Sequence, residues 1–198
     1  MKYLLISILW IGYCSLHSYL ISIKFTNLMT RLLKNYYAFY RLFFVLISIL
    51  LFIPLINFTA QLDNEVIIYY TWPLNIIRYI LICVSLLTFF WAFLFDYDTL
   101  SFFGIRQILN AMKKKKFNHE VKKSGLLGIV RHPMYTALII FLWCQTFSMA
   151  DIIVNTLLTI YIVIGTILEE KKLVLEFGNT YIEYQKEVPM LIPLTKNR

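Results

Sequence analysis

Apolar residues fall along this chain in long blocks, broken at a few places by clustered charge. A helix that crosses a bilayer needs roughly 20 mostly apolar residues, within a range of about 17–25. The blocks at residues 3–23, 40–56, 74–95, 133–149 and 152–168 all reach that range. Lipid offers the backbone no hydrogen-bond partner, so each block predicts a helix. Pro54 stands near the exit of the second block, and only Ala150 and Asp151 separate the last two, which predicts a tight helical hairpin. The pattern as a whole predicts an all-α, polytopic membrane protein with about five transmembrane helices, the last two forming the hairpin.

Composition agrees with this reading. The 198 residues are 60% hydrophobic and 15% charged, against about half and about a quarter for a typical soluble domain. A soluble enzyme of this size is excluded for want of polar surface, and the first partner implied is the lipid bilayer. The chain is read as one integral-membrane domain over 1–198: three spans in 1–100, a basic cytoplasmic loop at 101–132, and the hairpin with a C-terminal segment at 133–198. Cys14, Cys83 and Cys144 all lie inside apolar blocks with no paired spacing, so they are expected to be small buried hydrophobes. His17, His119 and His132 lack ligand spacing, and no metal is expected.

The net charge is +8, and its distribution reports topology rather than nucleic acid. Lys24, Arg31, Lys34 and Arg41 follow the first span with no acid among them, whereas Asp63 and Glu65 follow the second with no base. The stretch from Asp96 to His132 carries Arg106, the run Lys113 to Lys116, Lys122, Lys123 and Arg131. The positive-inside rule then puts the N-terminus outside and the C-terminal segment in the cytoplasm, in a membrane of the bacterial cytoplasmic type. The first block looks superficially like a signal peptide, but no small-residue cleavage site follows it, so it is expected to be retained.

Two cytoplasmic segments carry amphipathic patterns and are expected to lie at the membrane surface. Phe102, Ile105, Ile108, Leu109 and Met112 follow a helical period ahead of the lysine run, as in a helix lying on an anionic leaflet. After the fifth span, Leu173, Phe177, Tyr181, Tyr184 and Val188 form a stripe at spacings of three and four, with Gly178 and Asn179 as a break.

The candidate chemistry lies at one end of the hairpin. Counted from Ala150–Asp151, Arg131 and His132 lie at nearly the same remove as Glu169 and Glu170, so antiparallel arms bring all four to one height. Pro133 suits the first helical position. Charges at helix ends beside a membrane are commonly solvated anchors, and an Arg–Glu pair can simply lock a hairpin. Against that, adjacent carboxylates at a membrane boundary are expensive unless something polar meets them, and a zwitterionic ligand would do so. Asp96-Tyr97-Asp98 is read as the solvated end of the third span.

These residues carry a resemblance. Gly125-Leu-Leu-Gly-Ile-Val-Arg-His-Pro-Met-Tyr135 resembles the G-x-x-x-x-x-R-H-P-x-Y signature of integral-membrane methyltransferases. So do Glu169-Glu170-x-x-Leu173, Phe177-Gly178-x-x-Tyr181-x-x-Tyr184, and Val188-Pro189 through Pro193. That superfamily comprises isoprenylcysteine carboxyl methyltransferases, phospholipid N-methyltransferases and thiol S-methyltransferases. His17-Ser18, Tyr40-Arg41-Leu42, and the stretch from Asp96 through Leu100 and Phe102-Phe103-Gly104 to Gln107 resemble its NnrU-like branch, which includes methanethiol S-methyltransferases. Leu127 and Ala137 depart from the usual aromatic and glycine.

The resemblance implies S-adenosylmethionine as cofactor, bound on the cytoplasmic side and closed in by the C-terminal segment. It maps Arg131, His132, Pro133, Tyr135, Glu169, Glu170, Leu173, Tyr181 and Tyr184 onto the cofactor site, with Arg131, His132 and Glu170 as catalytic candidates. His17 and Arg106 are carried as substrate candidates. The implied acceptor is small or lipophilic: a thiol, or an isoprenylcysteine-like carboxylate. Phosphatidylethanolamine N-methylation, an NADPH-dependent sterol-reductase-like activity, and a non-enzymatic scaffold or small transporter are the rivals.

Overall fold

The computed structural model describes residues 1–63, 65–113, 121 and 123–195, with only the backbone for 110–113. The side chain of Met112, the Lys113 to Lys116 run, His119 and Lys122 lie outside the described side chains. The described residues form helices α1 (Lys2–Ile21), α2 (Ile23–Leu33), α3 (Tyr40–Leu62), α4 (Leu74–Trp91), α5 (Thr99–Phe102), α6 (Ile105–Lys113), α7 (Pro133–Trp143), α8 (Met149–Phe177) and α9 (Asn179–Glu187). A 3-10 helix joins α2 to α3, a π turn (Ala92–Asp96) extends α4, and a 3-10 turn (Gly125–Gly128) precedes α7. The chain is an all-α polytopic membrane protein. Among the described residues, Lys2–Ile21, Ile23–Leu62, Leu74–Asp96 and Met149–Phe177 are long and apolar enough to cross a membrane.

The last two blocks fold differently from expectation. α7 stops at Trp143, and its 11 residues rise only about 16 Å, half of a hydrocarbon core of about 30 Å. Gln145 and Thr146 interrupt the apolar block there, and Phe147 leaves the helix to pair with Ile68 in an isolated antiparallel bridge. Ala150 and Asp151 are therefore not a turn; they lie in the first turn of α8. A Ser148–Asp151 capping pair starts that helix: the Ser148 hydroxyl accepts from the Asp151 N–H at 3.2 Å, and the Asp151 carboxylate accepts from the Ser148 N–H at 2.8 Å. α8 also runs past Leu168, because Glu169, Glu170, Lys171 and Lys172 end its apolar character without breaking its helical propensity.

Contacts divide the chain into two compact units. The first holds Met1–Val66, Thr99–Asn118 and Ser148–Leu157. In it α1 packs along α3, and the Trp10 indole N–H donates to Thr59 Oγ1 at 3.0 Å. Asp63 closes that end, accepting from Lys2 Nζ at 2.9 Å and from the Ala150 N–H at 3.0 Å. These ties carry α3 through Pro54 to Leu62, six residues beyond the expected exit; proline removes one backbone donor without ending the helix. The segment expected to be a basic loop after the first span instead forms α2 and the 3-10 helix. The amphipathic stretch before the lysine run is helical as expected, divided at Gly104 into α5 and α6.

The second unit holds Ile67–Asp98, His119–Phe147 and Leu158–Arg198. Here α4 packs along α7, and Arg78 Nε donates to the carbonyl of Cys144 at 2.9 Å, satisfying an end of α7. Cys14 and Cys144 are buried, but Cys83 is exposed on α4, against expectation.

Gly104 is required by space and by backbone. Its φ is +83°, and an added Cβ would lie 2.8 Å from both the Arg41 Cβ and the Leu42 backbone nitrogen. Gly165, inside α8, has nothing within 4 Å of an added Cβ. Gly104→Ala should therefore destabilise by about 1–3 kcal/mol, while Gly165→Ala should be neutral or stabilise by up to about 1 kcal/mol. Thermal unfolding of the detergent-solubilised protein, followed by intrinsic fluorescence, checks the pair.

Candidate active site

The residues singled out around the Arg-His-Pro sequence lie within the second unit, and local chemistry explains how they are held. Gly125 adopts φ +68°, and a Cβ there would sit 2.5 Å from Asp96 Oδ1. Asp96 is buried, not solvated, and its Oδ2 accepts from the Leu126 N–H at 3.2 Å. The first glycine of the signature is thus the space that lets this carboxylate fasten the turn ahead of α7. Val130, Arg131 and His132 follow in non-helical conformation, and His132 is the N-cap, with Pro133 at the first helical position. The Arg131 and His132 N–H groups donate to the carbonyls of Pro189 (2.9 Å) and Met190 (3.1 Å). Thr136 Oγ1 donates to Leu191 O at 2.7 Å. The C-terminal segment is therefore stitched backbone to backbone onto the start of α7.

Register brings the acids to the same place. The Trp143 indole N–H donates to Thr159 Oγ1 at 2.9 Å. His132 lies eleven residues before that crossing and Glu170 eleven after it, and their side chains meet at 3.0 Å. Equal arms hold, measured from a crossing inside the helices rather than from a turn at Ala150–Asp151.

Glu170 is buried and saturated. It accepts from Arg131 Nε and Nη2 (2.6 Å each), His132 Nε2 (3.0 Å), the Tyr181 hydroxyl (3.1 Å) and Gln185 Nε2 (2.8 Å). An ionised carboxylate only accepts and offers about four lone-pair positions, so His132 donates from Nε2 and no capacity remains. Arg131 is likewise committed: Nη1 donates to the carbonyls of Gln185 and Val188.

Glu169 stands in contrast. It is half-buried and accepts one described hydrogen bond, from the Tyr135 hydroxyl at 2.9 Å. The Tyr135 ring stacks on His132 at 5.5 Å. Tyr97 is half-buried in the same neighbourhood; burial first, then the charge of Glu169, pushes its phenol up.

Tyr181, Tyr184 and Val188 form a buried cluster with Leu173, Val174, Phe177 and Val121. The stripe expected to lie at the membrane surface instead folds back on its own unit. Tyr184 donates to the Leu127 carbonyl at 2.6 Å, and burial pushes its phenol up to about 12, so it stays protonated at neutral pH. His17 and Arg106 belong to the other unit: His17 faces a small cavity with Tyr13, Leu20, Ser48 and Leu51, and Arg106 is on α6. The sequence reading missed Gln185, Asp96 and Tyr97. Gln185 was visible as the residue four after Tyr181 on the same face of α9. Asp96 stood at the head of the NnrU-like stretch but was read as solvated, and only the glycine it requires pointed to its buried role; Tyr97 had no signal beyond adjacency.

The chain is similar to proteins named methanethiol S-methyltransferase. It is 41% identical over 93 residues to that of Pseudomonas deceptionensis, covering 46% of this chain and 36% of the relative. It is 34% identical over 93 residues to that of Crocosphaera subtropica, with the same coverage. It is 30% identical over 93 residues to that of Mycobacterium tuberculosis, covering 46% of this chain and 38% of the relative. The match thus spans little more than a third of these relatives. No family model matches, and no solved structure does. The similarity bears out the resemblance to the membrane methyltransferases read from the motifs.

The two acids differ in what their loss costs. Glu170→Ala strands a buried guanidinium and should destabilise by about 3–5 kcal/mol. Glu169→Ala removes one hydrogen bond from a half-exposed group and should cost about 1 kcal/mol or less. Denaturation midpoints of the two variants, compared with wild type, check this; similar losses in both would contradict it.

Proposed function

We propose that this protein is an S-adenosylmethionine-dependent membrane methyltransferase acting on a small thiol. One observation carries the reading: of two consecutive acids at the Arg-His-Pro corner, Glu170 is spent on the protein while Glu169 keeps acceptor capacity beside two tyrosines. A carboxylate flanked by phenols suits a ligand with hydroxyls or a cationic centre, which fits the methyl donor. Similarity to methanethiol S-methyltransferases supports the thiol class.

In this reading Glu169 and Tyr135 hold the polar part of the donor, and Tyr97 extends that surface. Arg131, His132 and Glu170 set the wall rather than meeting the ligand with free groups. Pro133 starts α7, whose first-turn N–H groups lack intrahelical partners and favour a negative group. Leu173, Tyr181 and Tyr184 form the apolar backing. When bound, S-adenosylmethionine supplies a methyl group on a sulfonium already activated as a leaving group. The protein's own task is then to align the acceptor and exclude water, and rigid buried packing behind the site serves that. The acidic-poor, basic segment from Lys24 to Arg41 supports an N-terminus outside and a site facing the cytoplasm.

Isothermal titration of the purified protein should show binding of S-adenosylmethionine and none of NADPH. Glu169→Ala should weaken donor binding by about tenfold or more, about 1.4 kcal/mol, with its fold intact. With labelled donor, the label should appear in a volatile thioether; label in extracted phospholipid would favour N-methylation instead, and retained binding in Glu169→Ala would remove this residue from the site.

A further inference from the structure

Helix α2 opens the 40-residue helical run Ile23–Leu62, but the 23 residues of α3 suffice for that crossing, and α2 has no part in the candidate site. It follows α1 after a single residue: the Ser22 hydroxyl accepts from the Phe25 N–H at 3.3 Å and starts the new helix. At its other end the 3-10 helix Lys34–Phe39 leads into α3, and the Tyr40 hydroxyl donates to the Leu20 carbonyl at 2.6 Å. The last turn of one span and the first turn of the next are thereby tied together. α2 is held at the level where both leave the membrane.

Its pattern is that of a surface helix. At 100° per residue, Phe25, Leu28, Met29 and Leu32 share one side, with Asn27, Thr30 and Arg31 on the other and Lys24 at the flank. No residue of α2 is buried, and Leu28 and Leu32 are 46% and 64% exposed. Lys24, Arg31 and Lys34 are exposed and carry no ion pair among the described residues. Arg41 is committed elsewhere, donating to the Phe102 carbonyl and lying over the Phe44 and Phe102 rings. From Ser22 to Arg41 there is no acid.

We propose that α2 is a docking surface for an anionic phospholipid leaflet. Its apolar side seats among the acyl chains, and Lys24, Arg31 and Lys34 contact phosphodiester oxygens. Charge complementarity and continuity with two spans commit the face to lipid: a helix fixed where α1 and α3 emerge meets headgroups before any other partner. The proposal does not depend on the methyltransferase reading.

The full chain is reconstituted in phosphatidylcholine bilayers containing phosphatidylglycerol, with spin-labelled forms of each lipid as probes. Phosphatidylglycerol should be enriched around wild type, and the combined Lys24→Gln, Arg31→Gln, Lys34→Gln variant should lose on the order of threefold or more of that preference. Added salt should reduce the wild-type preference likewise. A second measurement leaves the cations in place: a nitroxide at Leu28→Cys, with the native cysteines replaced by alanine, should be reached by oxygen, and one at Asn27→Cys by an aqueous nickel reagent. An unchanged lipid preference in the triple variant, or a Leu28 label reached mainly by the aqueous reagent, as when an acidic protein is the true partner, overturns the proposal.

Discussion

A single buried carboxylate ties the second unit together. Burying a charge costs several kcal/mol unless its partners are well placed, and Glu170 meets that cost with donors from Arg131, His132, Tyr181 and Gln185. Those donors come from two stretches: the corner before α7, and α9. Neither can move without stranding the acid. The position of α9, the strap of residues 188–191 and the start of α7 therefore form one cooperative arrangement. The aromatic cluster around Tyr181 and Tyr184 adds area but not direction; direction comes from the carboxylate.

Helix geometry then divides the labour of the twin acids. Consecutive residues on a helix point about 100° apart, so Glu169 and Glu170 cannot face the same neighbours. The saturation of one is what leaves the other distinct. Glu169 has one described donor, Tyr135, whose ring is stacked on His132. It is therefore oriented by the same corner that Glu170 holds while keeping its own acceptor capacity. An adjacent acidic pair read only as doubled charge would hide this difference.

How much of this was legible in the sequence follows from which forces act locally. The meeting of Arg131 and His132 with Glu170 followed from antiparallel register, which depends only on counting residues along two helices. The hairpin turn did not. Hydropathy cannot distinguish an apolar helix from an apolar extended stretch, and Phe147 left α7 because a remote segment, Ile67–Ile68, offered backbone partners. The buried role of Asp96 was hidden for the same reason: its partner, the N–H of Leu126, lies thirty residues away. Amphipathic periodicity located the Leu173–Val188 stripe but could not say what it faces; lipid and a tyrosine-lined core present the same apolar demand.

Run lengths in the second unit explain why complete pairing is needed at this corner. α4 and its π turn extend from Arg78, beside Cys144, to Asp96, beside Leu126: eighteen residues, or about 27 Å at helical rise. α7 covers about 16 Å between Pro133 and Cys144. The remaining distance of roughly 10 Å is spanned by the turn at Gly125–Gly128 and the four non-helical residues after it. The Arg131–His132 corner is thus recessed from the level of Asp96 and enclosed by its own unit. At that depth a free guanidinium or carboxylate is costly, and the side chains are arranged so that Glu169, at the edge of the network, is the acid left with capacity to spare. The shortness of α7, which looks like a failed span, is what sets this corner away from the level of Asp96.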